Sequence, residues 1–117
     1  MEFDNSLPIY SQIVELFKRR IAAGEYKPGD KVAAVRELAV EFGVNPNTMQ
    51  KALASLEQDG LLHAERTSGR YVTNDTERIT NLKQFLLELE ASRFAKAIAA
   101  LGCKRAEALE ALEKILS

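Results

Sequence analysis

Residues 35–59, VRELAVEFGVNPNTMQKALASLEQD, constrain the fold more than any other part of the chain. Apolar side chains recur at spacings of three and four residues on both sides of Gly43, which predicts two amphipathic helices. Glycine adopts a positive φ without steric cost, so the first helix is expected to end there. Asn45 is a favoured N-cap, and Pro46 suits the first position of the second helix. Two short helices joined by such a turn are predicted to form a helix-turn-helix.

The second helix of this pair exposes amide, hydroxyl and basic side chains opposite its apolar residues. Such a helix fits the major groove of B-DNA, where amides pair with adenine and lysine reaches guanine or a phosphate. Arg36, on the polar side of the first helix, could contact a phosphate or pair with a neighbouring carboxylate. An ordinary helical hairpin with a polar outer face is the alternative interpretation. The candidate DNA-contacting residues of this stretch are Arg36, Asn45, Asn47, Thr48, Gln50 and Lys51.

The residues after Gly60 predict a small antiparallel β-hairpin. Leu61–Arg66 and Arg70–Thr73 read as two short strands on either side of a three-residue turn. A hairpin directly after a recognition helix is a wing, whose tip lies on the DNA backbone or in the minor groove. A plain hairpin that only completes the core is the alternative. The candidate wing contacts are Arg66, Ser68, Gly69 and Arg70.

The chain before residue 35 predicts one more helix and a turn. An apolar stripe from Ile9 to Ile21 has helical spacing, and Gly24 is expected to end this helix. Glu25–Lys31 is predicted to be a turn around Pro28 and the glycine that follows it. The fold class is therefore mainly α with a small β-hairpin.

Residues 76–117 predict two further helices, 76–101 and 104–116, which together carry more apolar surface than about forty residues can bury alone. This surface must pack on the first domain or on a second copy of the chain. A second copy is attractive because a dimer of DNA-binding domains matches the two halves of a palindromic DNA site. A hairpin that covers a ligand pocket is the alternative, although such cavities usually need more surrounding structure. We therefore predict a winged helix-turn-helix domain over residues 1–75 and a dimerisation segment over residues 76–117. Its candidate interface residues are Ile79, Leu82, Phe85, Leu86, Leu89, Phe94, Ile98, Leu101, Leu109 and Leu112.

Composition argues against several classes of function. The chain has no run of eighteen apolar residues, and its acidic beginning lacks the apolar region of a signal peptide. The single cysteine and single histidine cannot form a metal site of the usual ligand number, and no catalytic arrangement is visible. The formal net charge of −1 is low for a DNA-binding protein, so a winged helix that binds protein is the alternative. We expect a non-enzymatic cytoplasmic protein.

Two runs of residues resemble the GntR family of bacterial transcription regulators. The first is made of Pro8–Ile13, Gly24, Pro28–Lys31 and Val35–Ala39. The second is made of Val44–Leu53 and Leu56–Leu61. The match covers roughly the whole first domain, residues 8–73. The short two-helix tail resembles the YtrA-like branch of the family.

The resemblance implies a homodimeric repressor at an inverted-repeat operator in double-stranded DNA, and the branch implies control of a transporter-type operon. It also implies that Arg36, the recognition helix and the wing tip contact DNA. No cofactor is expected, and a small-molecule effector is not indicated. The chain departs from the family at two places. Val32-Ala33-Ala34 stands where the family usually has Leu-Pro-Ser, and Thr67 replaces the first of two wing glycines.

Overall fold

The computed structural model describes residues 2–117 as five helices and one small sheet, which confirms the predicted mainly helical winged helix-turn-helix class. The chain forms two compact units, one ending at Lys83 and the other beginning at Gln84. Within residues 2–117, none of the helices has the length and apolar character that a membrane span requires. The elements are α1 (Ile9–Ala23), β1 (Lys31–Val32), α2 (Val35–Phe42), α3 (Pro46–Gln58), β2 (Leu62–Glu65), β3 (Gly69–Val72), α4 (Thr76–Ala100) and α5 (Arg105–Leu116).

The core of the first unit lies between α1, the two helices of the helix-turn-helix and the sheet. Phe17 of α1 is fully buried, and its ring stacks on Tyr26 and Phe42 at centroid distances of 5.5 and 5.8 Å. Met49, Leu53 and Leu56 of α3 are fully buried in the same core. Burying each large apolar side chain contributes roughly 1.5–3 kcal/mol, so these residues hold one face of α3 inward and leave the other outward. The remaining fully buried large side chains are Ile13, Ile21, Leu38 and Val72.

The turn between α2 and α3 has the predicted geometry. Gly43 takes a φ of +68° at the end of α2, and the Val44 N–H donates to the Ala39 carbonyl at 2.9 Å. The Asn45 side-chain oxygen accepts a hydrogen bond from the Asn47 N–H at 2.8 Å. These caps fix where α3 begins, and therefore which residues form its exposed first turn.

The sheet contains the predicted hairpin and one strand that was not predicted. Strands β2 and β3 begin and end within one residue of the predicted bounds. The extra strand β1 pairs with β3 in antiparallel register, and the strand order is β1-β3-β2. Lys31 lies in this strand and not in the predicted turn, because a two-residue strand is too short to show an alternation of polar and apolar residues.

The second unit contains the later turns of α4, together with α5. The backbone N–H of Lys104 donates to the Glu107 carboxylate at 3.0 Å and so caps the start of α5. Ala108 of α5 is buried, whereas the larger apolar residues of the unit are half-buried or exposed. This unit therefore presents apolar surface that it does not bury itself.

Candidate nucleic-acid interface

The first two turns of α3 form the polar surface that the sequence predicted. Asn47, Gln50 and Lys51 are exposed and Thr48 is half-buried, while the apolar side chains of the helix face the core. Amide, hydroxyl and ammonium groups on one exposed helix face can donate to and accept from base edges in a major groove. The Asn45 side-chain oxygen is occupied by the helix cap, so its remaining group toward a ligand is the amide NH₂.

Lys51 has a contact with α1 that its sequence neighbours do not predict. Its Nζ lies 4.1 Å from the centroid of the Tyr10 ring on α1, which is a cation–π interaction. Tyr10 lies within the Pro8–Ile13 run, but no local spacing links a residue of α1 to a residue of α3. The ring limits the positions that the ammonium group can take next to the exposed face of α3.

Arg36 is exposed in the first turn of α2, as the sequence predicted. Two roles were open for it, a phosphate contact or an ion pair with a neighbouring carboxylate. Among residues 2–117, no ion pair joins Arg36 to a carboxylate.

The wing tip is a short turn that ends at Gly69. The Ser68 N–H donates to the Glu65 carbonyl at 3.3 Å, and the Tyr71 hydroxyl donates to the Ser68 hydroxyl at 2.9 Å. Gly69 takes a φ of +116°, whereas among the described residues no side-chain-bearing residue has a positive φ. Thr67 therefore fits this turn without backbone strain. The tip exposes Arg66, Ser68 and Gly69.

Arg70 is placed differently from the other predicted wing residues. Its Nε makes a close ion pair and hydrogen bond with the Glu57 carboxylate of α3. The side chains of Arg70 and Glu57 are only 20% and 30% exposed. The guanidinium group therefore joins the wing to the recognition helix.

A groove of about 610 Å³ connects the start of α2 with the wing tip. The groove is lined by residues 31–35, Glu37 and residues 68–70. Lys31 and Arg70 contribute cations to its lining, and Glu37 contributes an acidic group. No cluster of three or more potential metal ligands occurs among the described residues.

The predicted dimerisation residues fall into three groups. Ile79 and Leu82 belong to the first unit and pack against its own core. The exposed members are Phe85, Leu101 and Leu109, and Leu87, Ile115 and Leu116 are also exposed although they were not predicted. The half-buried members are Leu86, Leu89, Phe94, Ile98 and Leu112.

Comparison with known proteins identifies this arrangement. The family described as "Bacterial regulatory proteins, gntR family" matches residues 9–72, which include α1, the helix-turn-helix and the wing. The chain belongs to the GntR family. It is accordingly a DNA-binding transcriptional regulator, and the family and its members are regulators rather than enzymes.

Individual relatives extend the likeness beyond the winged helix. The GntR chain is 37% identical over 91 residues to the HTH-type transcriptional repressor YtrA of Bacillus subtilis, covering 73% of this chain and 70% of YtrA. A solved GntR family transcriptional regulator from Listeria monocytogenes superposes with a TM-score of 0.86 at 37% identity, over 96% of this chain and 98% of that one. AraR(DBD) in complex with operator ORR3 superposes with a TM-score of 0.55 at 34% identity, over 62% of this chain and 86% of that one.

Proposed function

We propose that this GntR regulator binds an inverted-repeat operator as a homodimer and represses transcription from it. The exposed polar face at the start of α3 is the observation that carries the proposal, because it offers the side chains that read base edges. Two likenesses support it. YtrA is named a repressor, and AraR(DBD) was solved with an operator.

The proposed DNA contacts are made by exposed side chains of the first unit. Asn47, Thr48, Gln50 and Lys51 of α3 would read bases, with the Asn45 amide NH₂ at the edge of that surface. Arg36 would contact a phosphate, because its charge is exposed and not paired with a described residue. The exposed wing tip would meet the backbone or the minor groove through Arg66, Ser68 and Gly69.

The tail supplies the argument for a homodimer. Six large apolar side chains within residues 84–117 are exposed, among them Phe85 at 64% and Leu101 at 74%. Six exposed large apolar side chains in so short a segment favour a partner that covers them, and a second copy would do so symmetrically. A two-fold dimer would also place two recognition helices for the two halves of an inverted repeat. We retain residues 76–117 as the dimerisation segment, but assign Ile79 and Leu82 to the core of the first unit.

Repression would be steric, because a dimer seated on a promoter blocks the polymerase. The transporter-type operon is inferred from the resemblance to the YtrA-like branch. Association with the nucleoid in the bacterial cytoplasm would follow from DNA binding.

A substitution in the tail tests the coupling between dimerisation and operator binding. Phe85→Asp should convert a dimer into a monomer by light scattering, because a carboxylate cannot be buried unpaired in an apolar interface. Operator affinity should then fall by about a hundredfold or more, because each half-site would be bound independently. Ala95→Asp, which adds the same charge at an exposed position on the side of α4 opposite the predicted apolar stripe, is the matched control and should stay dimeric. A wild-type protein that is monomeric at micromolar concentration would contradict the homodimer.

A further inference from the structure

The two cations that flank the groove at the wing, Lys31 and Arg70, lie on opposite faces of the sheet. Residues opposite each other in an antiparallel pair project to the same face, and the faces alternate along a strand. Arg70 is opposite Val32 and two residues before Val72, and both of these valines are buried. Arg70 therefore belongs to the inner face of the sheet, where Glu57 of α3 meets it.

Lys31 is opposite Tyr71 and belongs to the outer face. It is exposed, and no carboxylate in the described part of the chain pairs with it. A Cβ built at Gly69 would lie 3.4 Å from the Lys31 Cε, so the lysine stem runs across the wing tip within van der Waals distance. The Tyr71 hydroxyl, on the same face, holds the Ser68 hydroxyl. The wing tip and Lys31 thus form one surface.

We propose that Lys31 supplies the phosphate contact beside the wing, and that Arg70 is a positioning residue which holds the wing to α3 through Glu57. A DNA backbone passing between the start of α2 and the wing tip would run along the groove that Lys31 lines. Arg70 also lines this groove, but its Nε is held by the Glu57 carboxylate and its side chain is only 20% exposed. An ammonium group on a flexible stem suits a backbone phosphate, because it acts as a point charge and needs no fixed bidentate geometry. This inference rests on the DNA binding proposed above.

The salt dependence of DNA binding distinguishes the two roles. Each phosphate neutralised by a cation contributes about 0.9 to the slope of log Kobs against log salt concentration. Lys31→Gln should reduce the magnitude of the slope by about 0.9 per protomer and weaken operator and unrelated duplexes alike. Arg70→Gln should lower operator affinity with an unchanged slope, because no cation that meets a phosphate is lost.

Two controls complete the experiment. Lys27→Gln removes the same charge from an exposed lysine that does not line the groove, and it should leave the slope unchanged. The exchanged pair Glu57→Arg with Arg70→Glu keeps the net charge and should restore operator affinity toward the wild-type value. If circular dichroism shows that Arg70→Gln is unfolded, the salt dependence is measured on the exchanged pair instead.

The outcomes separate this inference from the proposed function. A reduced slope for Lys31→Gln together with an unchanged slope for Arg70→Gln, or for the exchanged pair, supports it. A Lys31→Gln slope equal to that of Lys27→Gln overturns it, as does a slope loss of about 0.9 per protomer for Arg70→Gln or the exchanged pair. Wild-type protein without any salt-dependent affinity for DNA would instead refute the proposed function, and the inference with it.

Discussion

Replacing Asn45 with alanine would test whether this residue fixes the start of the recognition helix. Its side-chain oxygen accepts from the Asn47 N–H at 2.8 Å, and Pro46 between them has no N–H to donate. The substitution removes the one side-chain acceptor that caps α3. The effect should therefore appear in the free protein, before any DNA is added.

The expected loss is about 1 kcal/mol in the free energy of unfolding, within a range of about 0.5–2 kcal/mol for this class of substitution. The middle of the range applies because Asn45 and Asn47 are exposed, so water partly replaces the lost acceptor. A change of about 1 kcal/mol raises the unfolding equilibrium constant roughly fivefold. The recognition helix would also fray at its first turn, where Asn47 and Thr48 lie.

Urea unfolding followed by circular dichroism measures this loss as a lower midpoint concentration of urea, while the dependence of the unfolding free energy on urea concentration stays unchanged. Wild type and variant must be compared at equal protein concentration, because a dimer gains apparent stability with concentration. Asn45→Asp is the matched control. It keeps an acceptor and adds a negative charge near the helix N-terminus, so its stability should equal or exceed that of the wild type. The same charge should weaken DNA binding.

An Asn45→Ala variant whose free energy of unfolding lies within about 0.3 kcal/mol of the wild type would refute the capping argument. A loss of operator affinity at unchanged stability would instead assign Asn45 to direct DNA contact. The free energy of unfolding and the operator affinity are both measured on the wild type, Asn45→Ala and Asn45→Asp.

Three further substitutions test separate parts of the account. Leu53→Ala on the core-facing side of α3 should lower the free energy of unfolding in urea by about 2–5 kcal/mol, because Leu53 is fully buried and its removal leaves a cavity. A loss below about 1 kcal/mol would contradict the packing described for α3. A double-mutant cycle with Tyr10→Leu and Lys51→Ala should give a coupling of about 0.5–1 kcal/mol in the free energy of unfolding. Additive effects of the two substitutions would mean that the cation–π contact does not stabilise the fold. Gln50→Ala should weaken operator binding by about 1–3 kcal/mol and leave unrelated duplexes nearly unchanged; equal losses on both would remove Gln50 from base reading.

The helix-turn-helix could be predicted because its signals are local. Gly43 and Asn45 lie next to the boundaries they create, and the apolar spacing on each side needs only one helix to be visible. The wing could be predicted for a similar reason, because its two strands follow each other along the chain. The third strand at Lys31 was not, because its pairing partner Tyr71 is forty residues away and two residues carry no alternation.

The roles of individual cations were harder to predict, since they depend on partners that are distant in sequence. Arg70 was predicted to contact DNA because it is a basic residue beside a wing tip. It also stands two residues before the buried Val72, a spacing that places both side chains on the same face of a strand. The Lys51–Tyr10 contact joins α1 to α3 and has no local signal. In the tail, one continuous apolar pattern covers Ile79, which packs within the chain's own first unit, and Leu101, which is exposed.

Fluorescence anisotropy with duplexes tiled across the region upstream of this protein's own gene tests the central claim most directly. The wild-type protein would be titrated at two or more salt concentrations with unrelated duplex as competitor. The account predicts one duplex that binds with nanomolar-range affinity, resists the competitor and contains an inverted repeat. Weak binding of equal strength to every duplex would contradict the claim that this chain is itself a specific operator reader.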